Sequence, residues 1–73
     1  MTNCWEHYYN TGVIATNEEL LQMMQDLVDA SKALHVIHKD RYNLVNFDLL
    51  RLWQSLEMIA YARKLDNFPK WTV

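Results

Sequence analysis

Turn-forming residues are nearly missing from this chain: one glycine, Gly12, and one proline, Pro69, in 73 residues. A β-rich chain of that length needs more of them to reverse its strands, so helices are favoured. One glycine also excludes the glycine-rich loops that cradle phosphates. Cys4 is the only cysteine, which rules out a disulfide within one chain and suits a reducing, cytoplasmic compartment. No Lys or Arg precedes Lys32. The opening "TNCWEHYY" therefore lacks the basic start of a secretory signal, and its apolar run as well. No stretch approaches the ~18 consecutive apolar residues of a membrane span, so no membrane association is expected.

What is present is apolar and aromatic. Hydrophobic residues make up 51% of the chain, with three Trp and four Tyr, too much for a disordered segment. The length allows one domain, 1–73, whose core rarely supplies more than ~3–5 kcal/mol, so a partner chain is expected to help. Charge is divided along the sequence. Up to Ser31 there are five acids and no Lys or Arg; from Lys32 onward there are seven bases and four acids. Ordinary solvated helix faces explain this division, and complementary pairing between chains is the sharper reading.

The pattern predicts an all-α fold. Residues 3–10 form a short helix or an irregular aromatic arm, with Thr2 as its cap and Cys4, Trp5, Tyr8 and Tyr9 on one face. "NTG" at 10–12 stops it. "TNEE" at 16–19 is a capping box that opens a helix over 17–40, in which Thr16 and Glu19 satisfy each other's amides. Its stripe runs Leu20, Met24, Leu27, Ser31, Leu34, widened by Leu21, Met23, Val28 and Ala30. Asn46 reads as the cap of a second helix over 46–66, with Val45 and Leu50 as a hydrophobic staple. Pro69 biases Phe68 out of the helical region, placing the stop near Asp66. The tail 67–73 then folds back. The expected architecture is a helical hairpin at 16–66, preceded by the arm 1–15 and pairing with a second copy into a dimeric four-helix arrangement.

The second helix is apolar on two opposite sides. Leu49, Leu52, Trp53, Leu56, Ile59 and Ala60 fall on one side. Phe47, Leu50, Met58, Tyr61 and Leu65 fall on the other, interrupted by Gln54. A helix apolar on two sides is buried on two sides. The first long helix has a single stripe to offer, so Phe47, Leu50, Met58, Tyr61 and Leu65 are assigned to self-association as a homodimer. Trp5, Tyr8, Tyr9 and Trp71 lie outside the two long helices. They read equally as lids on the chain's own core and as contacts for a larger protein partner.

Catalytic parts are not recognisable, and no enzyme activity and no cofactor are expected. Cys4 and His7, and His35 and His38, form two i, i+3 pairs that resemble a tetrahedral zinc donor set. Their separation matches no zinc-finger spacing, so packing and helix-dipole compensation explain the histidines better and no metal is assigned. Cys4 as a nucleophile lacks a signature around it. The acids Glu18/Glu19 and Asp26/Asp29 read as a solvated face. A basic corner at Lys32, His35, Lys39 and Arg41 suggests an alternative, a dimeric DNA-associated transcription regulator. The second helix, however, spends its faces on Leu, Trp, Ile and Met rather than on groups that read bases. The reading is a small cytoplasmic protein-binding regulator, inhibitor or adaptor.

The histidine reading is checked by metal analysis. The purified chain is expected to carry no stoichiometric zinc, and a chelator is expected to leave its thermal midpoint unchanged. A stoichiometric zinc signal with chelator-induced melting would make Cys4, His7, His35 and His38 a site.

Overall fold

The computed structural model describes the backbone of residues 4–37 and 42–71, and the side chains of 4–36 and 46–71. Three helices and no strand occur among these residues: α1 (Cys4–Thr11), α2 (Asn17–Ile37) and α3 (Tyr42–Ala62). The expected cap Thr2 and the last part of the expected 17–40 helix lie outside the described residues.

α1 forms as a helix rather than an irregular arm. It stops where Gly12 takes a left-handed φ of 72° and donates its amide to the Tyr8 carbonyl at 2.7 Å. Glycine takes that conformation without the strain an L side chain adds there, so "NTG" acts as the expected terminator. Cys4, Trp5 and Tyr8 lie half-buried against the core. The Trp5 indole donates to Asp26 of α2 at 3.4 Å.

α2 begins at the expected place. The Glu19 amide donates to Thr16 Oγ1 at 3.1 Å, and the first intrahelical bond, from Leu20 N to Thr16 O, measures 3.1 Å. Thr16 is therefore the N-cap, satisfying an amide that has no helical partner. The polar face is laced by Gln22 to Asp26 (2.8 Å) and Gln25 to Asp29 (2.9 Å). These i, i+4 pairs support the helix from its solvent side.

α2 and α3 pack along each other to make the core. Leu20, Met23, Met24, Leu27 and Val28 of α2 close on Trp53, Leu56 and Ala60 of α3, with Ile14 from the 12–16 connection and Phe68 from the tail. Ala30 is exposed, against expectation, and Leu21 and Leu34 are only half-buried.

Both ends of α3 differ from the sequence reading. The helix starts at Tyr42, so Asn46 is an interior residue and not a cap, and Val45 lies within the helix rather than ahead of a cap; its side chain is outside the described ones. The Asn46 side chain is used across the helices instead: its Oδ1 accepts from Ser31 Oγ, the one fully buried polar side chain among the described residues. At the other end the helix stops at Ala62 rather than Asp66. Arg63 N bonds Ile59 O at 3.0 Å, Lys64 N bonds Tyr61 O at 2.9 Å and Leu65 N bonds Ala60 O at 2.9 Å. Lys64 sits at φ 60°. This is a Schellman motif, with Leu65 folded onto the core as its apolar contact. The stop comes from backbone capping several residues before Pro69.

The two caps give two expectations. Thr16→Ala should lower stability by about 0.5–2 kcal/mol. Lys64→Gly should raise it by about 1 kcal/mol, since a left-handed lysine is strained and glycine is not. Denaturant midpoints measure both. An unmoved midpoint for Thr16→Ala, or a lowered one for Lys64→Gly, would contradict the assigned caps.

Candidate interaction surface

On α3 the inner face is set by the 3.6-residue repeat. Trp53, Leu56 and Ala60 are buried, and Leu49, Leu52 and Ile59 are half-buried beside them. Arg63 continues this face. Its guanidinium donates to Asn17 Oδ1 at 3.2 Å and to the Ile14 carbonyl, so it clamps the end of α3 to the start of α2. With Ser31 and Asn46 joined toward the opposite ends of these helices, α2 and α3 run antiparallel. Sequence reasoning missed the clamp, although Arg63 falls on the same helical line as Leu56 and Ile59.

The opposite face of α3 has no helix against it among the described residues. Phe47, Leu50, Gln54, Met58 and Tyr61 follow one another at spacings of three, four, four and three residues. That averages close to 3.6, so they form a line parallel to the helix axis. Phe47 is 57% exposed, Met58 71% and Tyr61 59%. Gln54 is exposed, and Leu50 and Leu65 are half-buried. Of the five residues assigned to self-association, three therefore stand in solvent and two lean on the core. Phe47 and Tyr61 are about 21 Å apart along the axis at 1.5 Å per residue. Arg51 lies over the Phe47 ring at 5.8 Å, which keeps a cation at the edge of an apolar line.

The tail covers one end of this face. Phe68 is buried, with its ring edge-on to Trp53 at 6.0 Å and to Tyr61 at 5.5 Å. The Trp53 indole donates to the Pro69 carbonyl at 3.0 Å, and Trp71 packs on Trp53 at 6.0 Å. Lys70 Nζ stands 3.4 Å from the Phe68 ring centroid. The expected fold-back of the tail is thus present as far as Trp71, held by edge-on and tilted ring contacts and one indole bond.

The partner-binding candidates divide by position. Trp5, Tyr8 and Trp71 lie half-buried against the core, whereas Tyr9 is 72% exposed and touches the rings of Trp5 and Tyr8. Cys4 is half-buried, and His7 and His35 are exposed. Among the described residues no group of three or more His, Cys, Asp or Glu is placed to hold a metal ion; His38 lies outside them. Of the basic corner, Lys32 and His35 are exposed on α2, and Lys39 and Arg41 lie outside the described residues. No described helix is long and apolar enough to cross a membrane. Chemically, the arrangement offers a linear apolar surface with a cationic edge. No family model, curated protein or solved structure matches the chain.

Proposed function

We propose that the chain is a small, non-catalytic protein-binding regulator, inhibitor or adaptor of the cytoplasm, working as a homodimer through the outer face of α3. The observation that carries this reading is the exposure of Phe47, Met58 and Tyr61 on one helical line. Large apolar side chains scattered singly on a surface need no explanation, but several aligned on one helix face mark an interface. A second hairpin seated there makes the four-helix arrangement, with the two copies of α3 at its centre. The exposed Tyr9 on α1 is the aromatic contact offered to a larger protein. The DNA-associated alternative, placed on the basic corner at Lys32, Lys39 and Arg41, has less support, because α3 lacks a polar reading face.

The test is the double variant Leu50→Glu with Met58→Glu. Two carboxylates in a desolvated contact cost several kcal/mol unless the contact opens. The variant is expected to have the mass of one chain under conditions where the unmodified chain has the mass of two. Its thermal midpoint should also be lower, since folding and association are linked. A variant that keeps the mass and midpoint of the unmodified chain would contradict the proposal.

A further inference from the structure

Resting on that self-association reading, we infer that the occupant of the α3 outer face is a second copy of α3 running antiparallel, with the two-fold axis passing beside Gln54. Closed two-fold contacts are self-complementary: each residue meets the one related to it by the axis. The line on α3 has this property. Residues equally far before and after Gln54 are both apolar, Leu50 against Met58 and Phe47 against Tyr61. An antiparallel pair centred there sets Leu50 on the second copy's Met58 and Phe47 on the second copy's Tyr61. Gln54, the only polar member, then meets its own copy. An amide carries both donors and an acceptor, so two of them facing each other satisfy one another where an apolar neighbour would leave them unpaired.

Area and charge favour this occupant. At roughly 150–250 Å² per large side chain, the exposed parts of Phe47, Met58 and Tyr61 present roughly 400 Å² of apolar surface. With Leu50, Gln54, Arg51 and Leu65 beside them, the face approaches the roughly 800 Å² per partner of a stable complex. Arg63, Lys64 and Lys70 gather near the carboxyl end of α3, opposed there by Asp66. A parallel pair would bring both cationic ends together. The antiparallel pair separates them and opposes the two helix dipoles.

Cysteine cross-linking in the full chain, in a Cys4→Ser background with helicity checked, tests the orientation. Gln54→Cys is expected to form a disulfide-linked dimer in air, because the axis brings the two positions within disulfide reach. Phe47→Cys alone and Tyr61→Cys alone are expected not to link, but a mixture of the two variants should. Linking of Phe47→Cys to itself would overturn the antiparallel arrangement and leave self-association through this face standing. A dimeric mass with no cross-link at any of these positions would overturn the proposed face. The mass of a single chain at every concentration would overturn both the orientation and the self-association on which it rests.

Discussion

The fold depends on a mismatch between its two long helices. α2 has a single apolar stripe, because its other side carries Gln22, Gln25, Asp26 and Asp29, tied to one another in i, i+4 pairs. It can cover one side of α3 and no more. α3 is apolar on both sides, so packing against α2 leaves a second line uncovered. The short α1 packs against α2, and among the described residues the tail meets this side of α3 at its Tyr61 end. Phe47 and Met58 are left in solvent by the arithmetic of available faces.

Polar contacts fix how the two helices meet. Apolar packing alone tolerates sliding, whereas a buried hydrogen bond satisfies its groups in one register only. Ser31 is fully buried and bonds Asn46, and a slip of one turn would break that bond. Arg63 does the corresponding work at the far end by joining α3 to Ile14 and Asn17. The Trp53 indole is buried under the tail only because Pro69 supplies a carbonyl to receive it.

Features set by local chemistry were readable from the sequence. The Thr16 cap, the stop at Gly12 and the buried stripe from Leu20 to Ser31 follow from hydroxyl capping, glycine's left-handed freedom and helical periodicity. The uncovered line on α3 was readable for the same reason, since two apolar sides cannot both face one stripe. The ends of α3 were not readable. Asn46 has the chemistry of a cap, and only its tertiary partner Ser31 shows that it serves elsewhere. Lys64 is a poor residue for a left-handed cap, so Pro69 looked like the stronger stop signal. The Arg63 clamp left no signal in the sequence, because the groups that receive it, one a backbone carbonyl, are far away along the chain.

The central claim is that one chain alone leaves a face of α3 unsatisfied and a second copy completes it. Sedimentation equilibrium of the unmodified chain over a wide concentration range, with helicity followed in parallel, measures this most directly. The account predicts a mass that rises from one chain to two as concentration increases, with helical signal and thermal midpoint rising with it. A mass of one chain throughout, with full helicity and a sharp, concentration-independent transition, would contradict it.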